Sequence, residues 1–182
     1  PNNLGGGSIA SFGNNTLAGT VNFATSMESE LTSVGGLLTF SGTLNIGANT
    51  AIFGSTNSYG LANYLVSGIL TGTGAATSTQ IKKYGSTSTL IISPTSAAAY
   101  QGFFRAEQGG TIRFTDPSQT GVNLGTGSSG AFHMYAGSLE FRAGTVSGGT
   151  LNWGKTVYVA NSSTNATYVQ GTPGLALINQ VN

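Results

Sequence analysis

Large apolar residues recur along this chain in short bursts, with polar residues at the positions between them. Six such bursts are Gly36-Leu37-Leu38-Thr39-Phe40, Gly42-Thr43-Leu44-Asn45-Ile46, Gly68-Ile69-Leu70-Thr71-Gly72, Gly110-Thr111-Ile112-Arg113-Phe114, Gly137-Ser138-Leu139-Glu140-Phe141 and Gly149-Thr150-Leu151-Asn152-Trp153. Four of them follow one template: Gly, a small hydroxyl residue, an aliphatic, a polar residue, then a large apolar residue. In an extended chain the third and fifth side chains of that template point to the same side. Short runs bounded by Gly, Asn and Ser predict strands. Helical periodicity is hard to find: Ala75–Thr79 and Ser96–Tyr100 are too short to be more than loops or single turns. Ser93-Pro94, Asp116-Pro117 and Thr172-Pro173 mark loop corners.

The bursts begin at 36, 42, 68, 110, 137 and 149, so their intervals are 6, 26, 42, 27 and 12. No strict repeat exists, yet two intervals near 26 match a solenoid coil of roughly 20–30 residues. Loops of variable length at one corner of each coil account for the remainder. The expectation is an all-β chain, a parallel β-helix (β-solenoid), with residues 1–182 as a single domain. A β-sandwich or jelly roll is the alternative; it calls for evenly spaced hairpins with Asn-Gly or Asp-Gly turns, and neither dipeptide occurs.

Composition sharpens this reading. The 182 residues include 29 Gly, 25 Thr, 21 Ser and 15 Asn, about half the chain, and only 6% are charged. Stacked coils place like on like. Hydroxyl and amide side chains then hydrogen-bond to their own copies, whereas like charges repel. A net charge of +1 supplies no basic patch for nucleic acid. There is no cysteine, hence no disulfide framework. No run of 18 apolar residues is present, so no membrane span is expected. Pro1-Asn2-Asn3 lacks the basic and apolar regions of a signal peptide, which reads as a processed or excised segment.

Residues 66–114 carry a longer pattern: Gly68-Ile69-Leu70-Thr71-Gly72-Thr73-Gly74, Ile81-Lys82-Lys83-Tyr84-Gly85, Thr89-Leu90-Ile91-Ile92-Ser93, Tyr100-Gln101-Gly102 and Gly110-Thr111-Ile112-Arg113-Phe114. This order resembles the passenger-domain repeat of bacterial autotransporters: a Gly-bounded strand, a Lys-x-Gly turn, a Thr-Leu-x-aliphatic strand, a Tyr-x-Gly corner and a closing strand. The segment between Gly85 and Thr89 is longer than in that family, and Ala99 stands where Asn often precedes the Tyr. The resemblance implies an irregular right-handed parallel β-helix. It implies a scaffold, not an activity.

Candidate chemistry is sparse. His133 is the only histidine; a hydrolytic triad would need it beside a nucleophile and an orienting acid, and Asp116 and Glu140 are the acids nearest in sequence. In Phe132-His133-Met134-Tyr135 it reads more simply as a strand residue. The acids are Glu28, Glu30, Glu107, Asp116 and Glu140. Glu28 and Glu30 share one face if their segment is a strand, which suits a solvated edge better than a glycosidase pair. Arg105, Arg113 and Arg142 offer a carbohydrate groove of the polysaccharide-lyase kind or, more simply, a solvated face. No metal-ligand spacing or phosphate loop is found, so no catalytic residue, metal or cofactor is expected.

Strand-capable ends complete the picture. Ser8–Phe12 and Leu175–Val181 are assembly candidates, with Ile9, Phe12, Leu175, Leu177, Ile178 and Val181 as contact residues joining copies by end stacking or strand addition. The opposing reading has both strands completing the chain's own sheets. Asn14, Asn161 and Asn165 head Asn-x-Ser/Thr sequons and are candidate glycosylation sites. The function expected is an extracellular or cell-surface structural protein, a β-solenoid subunit forming a homo-oligomer or filament as a fibre, sheath or matrix. The alternatives are an adhesin or phage tail-fibre module binding glycans through Tyr59, Tyr64 and Tyr100, and a polysaccharide lyase-like enzyme.

Overall fold

The structure, a computed structural model, describes residues 8–23, 29–54, 63–73, 79–95, 100–115, 131–135, 137–142, 156–159, 165–170 and 175–181. The chain climbs in levels. β1 (Ser8–Phe12), β2 (Asn15–Leu17) and β3 (Val21–Asn22) form the first, and β4 (Ser29–Val34), β5 (Leu37–Phe40) and β6 (Thr43–Asn45) the second. β7 (Thr50–Phe53), β8 (Asn63–Val66) and β9 (Ile69–Thr71) form the third. Then come β10 (Gln80–Lys83) with β11 (Thr89–Ile92), β12 (Phe103–Glu107) with β13 (Thr111–Thr115), and β14 (Ala131–Tyr135) with β15 (Ser138–Arg142). β16 (Thr156–Val159), β17 (Asn165–Gln170) and β18 (Leu175–Val181) follow.

Each strand pairs with the strand one level away. Sheet A runs β1-β4-β7-β10-β12-β14-β16, sheet B runs β2-β5-β8-β11-β13-β15-β18-β17, and sheet C runs β3-β6-β9. Sheets A and C are parallel throughout; sheet B turns antiparallel only where β18 joins β15 and β17. The fold is a parallel β-solenoid, as the burst pattern anticipates. Register partners in neighbouring levels lie from 22 residues apart (Ile9 and Leu31) to 30 (Ala51 and Ile81). The uneven burst intervals now have a cause: Gly36–Phe40 and Gly42–Ile46 are adjoining sides of one level, and Gly68–Gly72 lies over the latter in sheet C. The Gly149–Trp153 burst lies outside the described residues.

The template's third and fifth positions form the core. Leu38, Tyr64, Leu90, Ile112 and Leu139 stack as one buried column in sheet B, and Phe40, Val66, Ile92 and Phe114 as the next. Sheet A faces them with Ala51, Ile81 and Phe104. Burying each large apolar side chain contributes roughly 1.5–3 kcal/mol. Across the interior the aromatics meet edge to face, with ring centroids 5.9 Å apart for Phe40–Phe53 between two levels, and 5.4 Å for Phe53–Tyr64 and 5.0 Å for Phe104–Phe114 within one level, the geometry their quadrupoles prefer.

Polar columns run beside the apolar ones. Asn45 Nδ2 donates to Asn22 Oδ1 at 3.0 Å, and Thr71 Oγ1 donates to Asn45 Oδ1 at 3.1 Å, an Asn–Asn–Thr ladder over three levels of sheet C. At the entrance to sheet B, Asn14 Oδ1 accepts the Leu37 amide and Asn63 Oδ1 accepts the Thr89 amide, both at 2.8 Å. A short amide side chain thus supplies an acceptor where no ladder carbonyl faces the next level.

The B–C corner requires glycine at two levels. A Cβ on Gly68 would overlap the carbonyl oxygen of Gly42 and lie 2.6 Å from that of Ser41; Gly42 stands in the same relation to Ala18 and Gly19. These are backbone atoms fixed by the ladder, so the corner cannot yield. Gly19 meets nothing within 4 Å. Gly68→Ala is therefore expected to lower stability by about 1–3 kcal/mol, as overpacking does, and Gly19→Ala by no more than about 0.5 kcal/mol. Denaturant midpoints of the two variants check this, and equal losses would refute the tight-corner account.

Candidate functional site

Charged side chains outside the core tie one part of the stack to another. Arg105 on β12 donates from Nη1 to Gln80 Oε1 of the level before at 3.0 Å, and its Nε lies 2.9 Å from Glu107 Oε1. Arg113 on β13 pairs with Glu140 on β15, its register partner one level on. Opposite charges stacked between levels escape the like-charge repulsion that the composition avoids.

The arginines of the expected groove are divided between two sheets. Arg105 belongs to sheet A, whereas Arg113 and Arg142 belong to sheet B, with Arg113 engaged by Glu140 and Arg142 in register with Thr115. Arg113 and Arg142 thus lie on neighbouring strands of one sheet, and Arg105 on another. His133 lies in register with Arg105 and Tyr158 in sheet A, away from Glu140 in sheet B. Glu30 is half-buried on β4; Glu28, Asp116, Tyr59 and Asn161 lie outside the described residues. Among the described residues no three His, Asp or Glu gather where they could hold a metal. Tyr64 and Tyr100 are fully buried, so neither ring is available to stack on a sugar. The Tyr64 hydroxyl accepts from the Ser33 amide at 3.0 Å and donates to the Leu31 carbonyl at 3.1 Å. Burial pushes both tyrosine hydroxyls up, Tyr100 well above the ordinary value.

The sequence reading missed Lys83. It points inward on β10, stacked between Phe53 and Ala106, and is fully buried. Its ammonium donates to the carbonyl oxygens of Tyr84 and, at 3.3 Å, Gly85, and stands 5.8 Å from the centre of the Tyr64 ring. Burial lowers its pKa to about 8. The signal was in the sequence: two adjacent lysines within a strand cannot both face solvent.

A second feature went unread. The B–C corner repeats as Ala18-Gly19-Thr20, Ser41-Gly42-Thr43, Ser67-Gly68-Ile69 and Ser93-Pro94-Thr95, one triplet per level. The first three triplets and Thr95 line a shallow cleft of about 360 Å³ that carries no ionisable group. Thr95 Oγ1 donates to the Gly68 carbonyl at 3.3 Å, while Ile69 is 44% exposed. Aligning Leu17–Val21, Phe40–Leu44, Val66–Leu70 and Ile92–Thr95 would have found the coil period directly.

The ends differ. β1, β2 and β3 each stand first in a sheet. Phe12 is 72% exposed and Ile9 36%, while Leu17 and Val21 are partly buried against the core. At the other end β18 lies between β15 and β17, with Leu175, Leu177 and Ile178 in register with Arg142, Glu140 and Leu139, and Val181 with Asn165. Of the sequon residues, Asn14 is exposed with its Oδ1 committed to Leu37, and Asn165 opens β17. Comparison with protein-family models, curated proteins and solved structures finds no match.

The buried lysine makes a measurable linkage. An unfolded lysine takes up its proton below about pH 10.5, whereas Lys83 in the folded chain does so only below about 8. Between those values the unfolded state holds more protons, so stability rises with pH and is flat below the window. The full effect is on the order of 3 kcal/mol. Tyr64 and Tyr100, raised in the fold, act oppositely above about pH 10, which leaves pH 8–9.5 for lysine alone. Urea midpoints are expected to climb across that interval, and Lys83→Met to remove the slope. A flat wild-type profile would show that the ammonium is not shielded from water.

Proposed function

We propose that this chain is an extracellular structural β-solenoid, a subunit that stacks with further copies into a surface fibre, sheath or matrix. The observation that carries this reading is the first level of the stack. Among the described residues its three strands have no partner strand on one side, and Ile9, Leu17 and Val21, one inward residue from each sheet, are partly uncovered there. Open edges of this kind template further strands. The resemblance of residues 66–114 to autotransporter passenger repeats supports an outer-surface scaffold. So do the low charge and the use of Arg105, Arg113 and Glu140 as ties within the stack.

A second reading, a module binding a neutral glycan, is favoured by the hydroxyl-lined cleft along the B–C corner. It draws on Thr20, Ser41 and Thr43 in place of aromatic stacking.

Purified protein is expected to form elongated particles in negative stain and to give a fibre reflection near 4.8 Å along the long axis. Ile9→Lys puts an inward charge on the edge strand, a device that blocks strand addition, and is expected to abolish those particles while leaving circular dichroism unchanged. Monodisperse single chains of the wild type at high concentration would sink the structural reading, and binding to a neutral-glycan array would then favour the second.

A further inference from the structure

A solenoid whose levels share one pattern has a pairing problem: a strand that fits one level nearly fits the next. In sheet A the residues in register with one another along one column are Ile9, Leu31, Phe53, Lys83, Ala106, Met134 and Val159. Six of the seven are apolar, and any two apolar residues stack tolerably. The seventh is a lysine.

What surrounds Lys83 is specific to one neighbour. The residue after the column position is Ala10, Thr32, Gly54, Tyr84, Glu107 and Tyr135 in successive levels, so glycine occurs there only in the level beneath β10. Gly54 has φ +99°, and a Cβ on it would overlap the Tyr84 carbonyl oxygen and lie 3.3 Å from Lys83 Nζ. That carbonyl is one of the two acceptors of the ammonium. The missing side chain therefore makes the space in which the cation and its acceptor meet. The Tyr64 ring flanks the same space from sheet B of that level, and its hydroxyl is anchored to Leu31 and Ser33 of the level before. On any other neighbour the ammonium would be buried against Ala10, Thr32 or Glu107 positions, without this cradle.

We propose that Lys83 and Gly54 form a register lock that admits β10 to β7 alone, and so decides that levels three and four pair in order and within one chain. A lock of this type lowers stability relative to an apolar contact and gains uniqueness, the trade known for a single buried polar residue in helical assemblies. The titratable side chain shown beside it is Tyr64 on β8. The inference does not rest on the fibre reading, because a lone chain faces the same pairing problem.

The experiment is refolding of full-length Lys83→Met, which keeps the length of the side chain and removes the charge. Wild type is expected to refold to one set of amide resonances and one sedimenting species. The variant is expected to be at least as stable toward urea, yet to show two or more sets of resonances for residues 50–107 and a several-fold rise in exchanged oligomers. A variant that refolds to a single set and a single species overturns the proposal. So does one that fails to fold, since the lysine would then be a source of stability. Gly54→Ala provides an independent reading: in the wild-type background it is expected to destabilise strongly, and in the Lys83→Met background less so. Equal losses in the two backgrounds would mean that glycine serves the turn alone and not the lysine.

Discussion

Strand bonds to strand one level away, so the nearest neighbour of almost every residue is its counterpart in the adjacent coil. This single constraint shapes the composition. An apolar residue placed inward is covered above and below by other apolar residues and across the interior by the facing sheet, which is why Leu38, Tyr64, Leu90, Ile112 and Leu139 are buried. An amide placed outward finds an amide or hydroxyl at hydrogen-bond distance, as Asn22, Asn45 and Thr71 do. A charge finds whatever occupies its column, and is tolerated where that is an opposite charge or a neutral acceptor. Arg113 meets Glu140, and Arg105 meets Gln80.

The same constraint fixes where glycine is needed. Corners bring backbones of successive levels closer than a Cβ allows, at Gly42 and Gly68 in one corner and at Gly54 in another. The first pair keeps the stack tight. The third admits the head of a lysine. Glycine-rich composition in this protein thus reflects close vertical approach at defined corners, with open space at others such as Gly13 and Gly85, where positive φ alone is the requirement.

Much of the fold was legible because strand alternation and the glycine before each burst are local signals. Gly36–Phe40, Gly42–Ile46, Gly68–Gly72, Gly110–Phe114 and Gly137–Phe141 all became strands with their third residue buried. The assignment of bursts to sides of the coil was not legible from spacing, since β5 and β6 share a level and β7 and β8 are separated by nine residues. Nor was the fate of Tyr64 and Tyr100: a tyrosine beside glycine and asparagine looks like a loop residue, yet each hydroxyl reaches a backbone carbonyl from inside the core. Lys83 was concealed by charge itself, because a lysine is read as surface until strand alternation is applied to the pair Lys82-Lys83.

Among the described residues the two ends of the stack are unlike. Sheets A, B and C begin at β1, β2 and β3, whose pairing with the next level is parallel. At the other end sheet A runs to β16, while sheet B continues through β18 to β17, and those strands run antiparallel. Parallel ladders space their hydrogen bonds evenly and slant them, whereas antiparallel ladders alternate close and wide pairs. The constraint that stacks like on like along the column is therefore relaxed at β18 and β17, where each residue meets a partner on a strand of opposite direction.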